Sequence, residues 1–204
     1  KPMVGQPIYR MAGIYLDYQK MMQLGIPGMQ AEAMAYREKA KEKGGDADLF
    51  EGMLIALDAF IDTCGYYQQQ ALELAEEASD QQRQAELQEM ARVLEVITVS
   101  PPSSLHEAIQ LSFLYSMMCG TIEFGRMDVY LGEFYVNDID QGVITEDQAL
   151  ALMHTVWRLI NDQIRDVDGR VIIGGKGRPN EEIADRFALL ALETTRTYGK
   201  AILP

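Results

Sequence analysis

Two cysteines, two histidines and a single tryptophan in 204 residues leave little material for several common chemistries. Cys64 and Cys119 are too few for a disulfide scaffold and too isolated for a zinc site. Both read as buried thiols, which suits a reducing cytosol. His106 and His154 lie far apart in the sequence, so no metal centre is expected. Positive charge is short as well: 18 Lys+Arg stand against 31 Asp+Glu, a formal net charge of −13. A surface that acidic repels phosphate backbones and anionic lipid, which argues against nucleic acid and membrane as partners. Apolar runs such as residues 111–121 fall short of a membrane span. No basic stretch followed by an apolar one opens the chain, so nothing directs secretion and a cytoplasmic location is expected.

What is present supports a packed core. Hydrophobic residues make up 48%, the usual share for a globular domain. The length fits one domain or a piece of a larger one. Ala201-Ile202-Leu203, just before the last residue, looks like the opening of a strand whose neighbours are not in the sequence. The chain is therefore read as a fragment, exposing apolar surface and strand edges that a complete fold would cover.

The pattern is helical almost throughout. Residues 15–24 carry apolar side chains at helical spacing and close on Gly25; a second helix starts near Pro27 and runs to Gly44-Gly45. Asp46 or Asp48 can cap the next, with a stripe of Leu49, Met53, Leu57, Phe60, Cys64, Tyr67, Leu72 and Leu74 reaching about Ala78. Ser79-Asp80 restarts the count. After Pro101-Pro102, Ser104 and Glu107 form a capping box for a helix over 105–119, ending near Gly120. Thr145 and Gln148 form a second box. Asp168-Gly169 marks a turn, Val171-Ile172-Ile173 a short strand, and Asn180 caps a last helix through Thr197.

Few residues point to chemistry on spacing alone. Gly174-Gly175-Lys176-Gly177-Arg178 invites a phosphate-loop reading, since glycine-rich turns expose backbone amides to anions. It matches neither nucleotide fingerprint, and a tight turn that lets the backbone pass another element closely fits better. Acidic pairs such as Glu76-Glu77, Glu181-Glu182 and Asp138 with Asp140 read as solvated helix faces. Tyr66-Tyr67 and Met21-Met22 read as core. The segment from Gly125-Arg126-Met127-Asp128 through Val129-Tyr130-Leu131-Gly132-Glu133-Phe134-Tyr135 differs. An Arg–Asp pair among apolar runs is costly unless partnered, so Arg126 and Asp128 are expected to be buried, hydrogen-bonded and structural.

These residues resemble the pyruvate formate-lyase-like glycyl radical enzymes, whose middle region reads Gly-Arg-Phe/Met-Asp, an aromatic run, an Asp-Ile/Leu pair, then Gly-x-Ile-Thr. Asp138-Ile139 and Gly142-Val143-Ile144-Thr145 continue that order. Pro102 through Gln110 resembles the family's Pro-x-x-Phe-x-Glu-Ala-Leu-Gln helix start. Val171-Ile172-Ile173-Gly174-Gly175 resembles its Ile-Gly-Gly turn, which makes Gly174 and Gly175 structural. Leu16 through Met21 with Gly25 resembles its Asp-Tyr-x-Lys-Val-Leu-x-x-Gly segment.

The resemblance implies a ten-stranded α/β barrel of two half-barrels wrapped by helices, of which residues 1–204 would be a partial, mainly helical stretch with a few short strands. It implies a parent enzyme in which a glycyl radical takes hydrogen from a cysteine thiol and the thiyl attacks a small substrate. Its cofactor is that glycyl radical, outside this chain, and its partners are a radical-SAM activating enzyme and a second copy in a homodimer. Neither reactive loop is recognisable here. Cys64 precedes Gly65-Tyr66 and Cys119 precedes Gly120-Thr121, not the lyase-type Cys-x-Glu. Arg92-Val93-Leu94-Glu95 and Arg170-Val171-Ile172-Ile173 both miss the radical motif Arg-Val-x-Gly. The chain alone is expected to be catalytically silent, with no cofactor bound and no catalytic residue in it.

What it carries over is pocket wall. The positions just before Gly-Arg-x-Asp face substrate in many members, and here they are Gly120, Thr121 and Ile122. The expected parent reaction is cleavage of a C–O, C–N or C–C bond of a small metabolite by a dehydratase or lyase. Formate C-acetyltransferase is one alternative, and a non-catalytic helical interaction domain derived from the family is another.

Overall fold

The computed structural model describes residues 16–120, 123–162 and 169–199. Their order is α1 (Tyr18–Glu42), α2 (Asp48–Glu77), α3 (Gln81–Val99), α4 (Leu105–Cys119), β1 (Glu123–Arg126), α5 (Met127–Tyr130), α6 (Gly132–Asp140), α7 (Glu146–Asp162), β2 (Arg170–Ile172) and α8 (Glu181–Tyr198). The described chain is mostly helical, and no helix in it is long and apolar enough to cross a membrane. It divides into two compact units: residues 20–102, and residues 1–19 with 103–204.

In the unit of residues 20–102, α1 is two helical segments joined at Gly25, as the glycine and Pro27 imply. Gly25 sits at φ 60°, ψ −178°, a region open to glycine almost alone. A Cβ placed there would come within 2.8 Å of the Pro101 backbone. Gly25→Ala should therefore cost about 2–4 kcal/mol, combining backbone strain with the clash. Urea unfolding followed by helical circular dichroism measures it, and a loss under 0.5 kcal/mol would contradict the geometry.

Helices α2 and α3 form an antiparallel hairpin: Gln84 Nε2 donates to Ala75 O at 3.2 Å, and Gln68 Nε2 donates to Glu95 at 3.3 Å. The Asp80 carboxylate caps α3, accepting from the Gln82 and Arg83 amides. At the start of α2, Asp46 rather than Asp48 supplies the carboxylate, accepting from the Asp48 amide at 2.8 Å. The buried row on α2 is Leu54, Leu57, Phe60, Cys64, Ala71 and Ala75. Leu49, Met53, Tyr67, Leu72 and Leu74, expected in it, are exposed. At about 100° per residue Leu49, Tyr67, Leu72 and Leu74 fall on the flank of that row, roughly 60–90° from its centre. Met21 and Met22 are buried as expected, but Tyr66 and Tyr67 face outward.

In the second unit, α8 packs against α5, α6 and α7, and α4 starts from a local cap. Ser104 Oγ accepts from the Glu107 amide at 3.3 Å, but the Glu107 carboxylate reaches one residue further back than a capping box requires. It accepts from the Ser103 amide at 2.8 Å and the Ser103 hydroxyl at 2.9 Å. The Thr145–Gln148 box is reciprocal, at 3.2 and 2.8 Å. Asn180 makes no side-chain cap at α8. Its backbone lies at φ 48°, which forfeits the extended geometry from which a cap reaches inward.

Strand β2 does have a neighbour: it pairs with β1 in parallel, with Glu123 opposite Arg170 and Arg126 opposite Ile172. The register slips between Glu123 and Gly125. Helix α5 lies against this pair, and α6 and α7 both pack against α8, burying Tyr135, Met153, Phe187 and Ala191. Apolar side chains remain exposed on α8, at Leu189 and Leu192. The strand expected at 201–203 lies outside the described residues.

Candidate functional site

The loop that follows β2 is organised by one buried carboxylate. Asp128, in the short helix α5, is fully buried. Its Oδ2 accepts from Arg178 Nη1 at 2.9 Å and from the Gly174 amide at 2.8 Å, and its Oδ1 from Arg126 Nε at 3.4 Å. Arg126 Nη2 also donates to Gly174 O at 2.7 Å. Arg178 Nε donates to Gly175 O at 2.9 Å, and its other branch reaches Asp185. Arg126 keeps 39% of its side-chain surface, whereas Arg178 keeps 4%. The buried cation opposite Asp128 is therefore Arg178, which sequence reasoning missed. The only sequence signal was an arginine held between Gly177 and Pro179.

Gly174, Gly175 and Gly177 all have positive φ, at 74°, 87° and 83°. Nothing lies within 4 Å of where their Cβ atoms would be. These glycines serve the turn's backbone conformation, not the close passage of another element expected from sequence. A phosphate-loop role is also disfavoured. The Gly174 amide is taken by Asp128 and the Gly177 amide by Glu181, so carboxylates occupy donors an anion would need.

A cavity of about 450 Å³ opens beside this knot, at the carboxyl ends of β1 and β2. Tyr18, Arg126, Tyr130, Ile172, Arg178 and Pro179 contribute to its wall. Tyr18 and Tyr130 stack with ring centroids 4.5 Å apart. Burial pushes the Tyr18 phenol up to about 12, against the opposing effect of its hydrogen bond with Ser116. Burial also raises Tyr130 well above the ordinary phenol range, and its hydroxyl has no hydrogen-bond partner among the described residues. Crevices at the carboxyl ends of parallel strands are where α/β folds place ligands.

Gly120 ends α4 in the left-handed conformation at φ 64°, its amide donating to Met117 O at 3.2 Å. Thr121 and Ile122 lie outside the described residues. Of the acidic pair Asp138 and Asp140, only Asp140 lies on a solvated face. Asp138 is buried and accepts from the Leu105 amide at 2.7 Å, serving the start of α4 from across the unit. Burial raises its carboxyl pKa, with the Leu105 amide pulling the other way. Asp140 instead takes two hydrogen bonds from Arg186, at 2.8 and 3.0 Å. His154 Nε2 lies 2.8 Å from Thr197 Oγ1 on an exposed face. Cys64 is buried, and burial pushes its thiol up to about 12, so it is no nucleophile at neutral pH. Cys119, expected to be buried, is exposed because it closes α4 at the helix end. Among the described residues no three His, Cys, Asp or Glu side chains come together in a way that could hold a metal ion.

Comparison with known proteins gives this arrangement a family. The model for "Pyruvate formate lyase-like" proteins matches residues 5–204. An isethionate sulfite-lyase from Desulfovibrio desulfuricans is 32% identical over 89% of this chain and 25% of its own length. The trans-4-hydroxy-L-proline dehydratase of Clostridioides difficile is 28% identical over 78% of this chain and 20% of its own. Among solved structures, the B12-independent glycerol dehydratase from Clostridium butyricum superposes with a TM-score of 0.79, at 23% identity, over 92% of this chain and 26% of that one. The chain thus spans about a quarter of the length of these relatives. With the family model matching residues 5–204, the chain belongs to the pyruvate formate lyase-like family.

Proposed function

We propose that this chain is part of a cytoplasmic glycyl radical enzyme of the lyase or dehydratase type, cleaving a carbon–heteroatom bond of a small metabolite. The single observation that carries the reading is the similarity to relatives named as lyases and dehydratases. That similarity favours a lyase over formate C-acetyltransferase. In this reading the parallel pair β1–β2 belongs to the family's ten-stranded barrel. A glycyl radical and a cysteine elsewhere in the polypeptide supply hydrogen-atom transfer. A radical-SAM activating enzyme and a second copy of the chain are the partners this reading requires.

The residues of this chain shape and dry the site. Gly120, with no side chain, leaves room on the wall, and Thr121 offers a hydroxyl that donates once and accepts from substrate. Ile122 adds apolar surface. A wall with few charged groups suits a substrate less polar than a triol, because each unpaired polar group in a closed site costs about 1–3 kcal/mol. The knot around Asp128 holds the strand ends rigid while the site excludes water and oxygen.

Thr121→Val in the complete, anaerobically activated enzyme tests the wall. The expected result is a fall in kcat/KM of about tenfold or more for the natural substrate, the loss of one closed-site hydrogen bond. Unchanged turnover across a panel of small diols, amino acids and sulfonates would remove Thr121 from the pocket.

A further inference from the structure

Helix α2 carries a second row of apolar side chains beside the one it buries. Counted from Leu49 in alternating steps of four and three residues, the row passes through Met53, Phe60, Tyr67 and Leu74, the spacing of a coiled-coil seam. Phe60 turns into the core, whereas the other four are between 46% and 66% exposed. Tyrosine and methionine on an exposed apolar face match the composition of an interface core. Gly52 points the same way. It lies inside the helix, where glycine is a poor choice, and nothing among the described residues comes within 4 Å of its missing Cβ. The packing of the described residues gives no reason for a glycine there, and the close approach of another helix would.

The charge on this helix is all of one sign. Its 30 residues hold seven carboxylates and no Lys, Arg or His. Glu51 is answered by Arg37 and Lys41, and Asp58 accepts from Gln30. Asp48, Asp62, Glu73 and Glu77 have no cationic partner among the described residues. They lie roughly 80–140° round the helix from the exposed row, on the side away from the buried one. An apolar seam with an acidic flank is complementary to a helix that carries its own apolar seam and Lys or Arg beside it. A second copy of α2 is the opposite of that, since it would set seven carboxylates against seven with no base between them. This chain spans about a quarter of the length of its relatives, so most of the full-length polypeptide lies outside it. A helix tethered in the same polypeptide meets α2 at a high effective concentration.

We propose that the exposed row on α2 seats a lysine- or arginine-bearing amphipathic helix from the full-length polypeptide outside residues 1–204. The apolar seam of that helix rests on Leu49, Met53, Tyr67 and Leu74, and its cations face the acidic flank. The contact is independent of the radical chemistry proposed above and would hold in a polypeptide that acquires no radical.

The test uses the full-length protein, not activated, with a photoreactive benzoyl-phenylalanine in place of Tyr67. On irradiation and peptide mapping, the expected adduct is with a segment of the same polypeptide outside residues 1–204 that carries Lys or Arg at three- or four-residue spacing. Hydroxyl-radical oxidation of Met53 in the otherwise unchanged protein is the second measurement. It should run about tenfold or more slower than in the urea-unfolded protein, because a packed interface core excludes water. The triple variant Asp62→Lys/Glu73→Lys/Glu77→Lys should lower the adduct yield and speed Met53 oxidation by about threefold or more, through like-charge repulsion. Asp62→Asn/Glu73→Gln/Glu77→Gln should move both readouts the same way by less. Met53 oxidised within about twofold of its unfolded rate would overturn the proposal, since a half-exposed side chain needs no cover. An adduct joining two copies, or one lying within residues 1–204, would overturn it by naming a different occupant. Charge reversal that leaves both adduct and oxidation unchanged would overturn it as well, because the covering helix would then owe nothing to its cations.

Discussion

Replacing Asp128 by alanine should cost the unit that contains it about 3–5 kcal/mol, the price of taking from a buried cation its one buried counter-charge. Arg178 has nowhere to go: its side chain is 4% exposed, and its remaining bonds are to Gly175 O and Asp185. The Gly174 amide would lose its acceptor as well, and the turn that depends on positive φ at three glycines would lose its anchor. Asp128→Asn should cost less, because an amide oxygen can still accept from Arg178 or Gly174 while the charge is lost. Urea unfolding of both variants gives the difference. A loss below about 1 kcal/mol for the alanine variant would mean the knot is ornamental.

Arg178→Leu is the second large effect, expected near 3 kcal/mol, since it strands the Asp128 carboxylate at zero exposure with one amide and one long contact to Arg126. Arg126→Leu should be milder, about 1 kcal/mol, because that guanidinium is already partly in water and its Asp128 contact is long. The decisive comparison is the pair. If Asp128 and Arg178 stabilise chiefly through each other, the Asp128→Asn/Arg178→Leu double variant should lose less than the sum of the singles by about 1–3 kcal/mol. Additive losses would show that each works through separate partners.

How much of this was visible beforehand depends on where the controlling contact lies. Helix boundaries set by local chemistry were legible: Gly25 and Pro27 divide α1, Pro101-Pro102 with Ser104 opens α4 at Leu105, and the Thr145–Gln148 box opens α7. Contacts between distant residues were not. Asp138 reads as one of two acidic residues on a helix, and only the fold brings it to the Leu105 amide. Arg178 meets Asp128 across fifty positions, so the nearer Arg126 looked like the partner. Strand β1 was missed because Glu-Phe-Gly-Arg shows neither alternation nor β-branching, and it is a strand only because β2 lies beside it. The exposed Leu49 and Tyr67 illustrate the same limit on a helix, where periodicity marks a face but not its edges. The candidate wall was reached through resemblance to a family, since spacing at Gly120-Thr121 reads equally well as a helix end.

The most direct measurement is electron paramagnetic resonance on the full-length protein, after anaerobic treatment with a radical-SAM activating enzyme. A glycine-centred radical that decays on exposure to oxygen, together with turnover of a small metabolite by carbon–heteroatom cleavage, is the result expected of a glycyl radical lyase. A polypeptide that acquires no such radical, and whose sequence holds neither Cys-x-Glu nor Arg-Val-x-Gly, would contradict it and leave a helical interaction domain in its place.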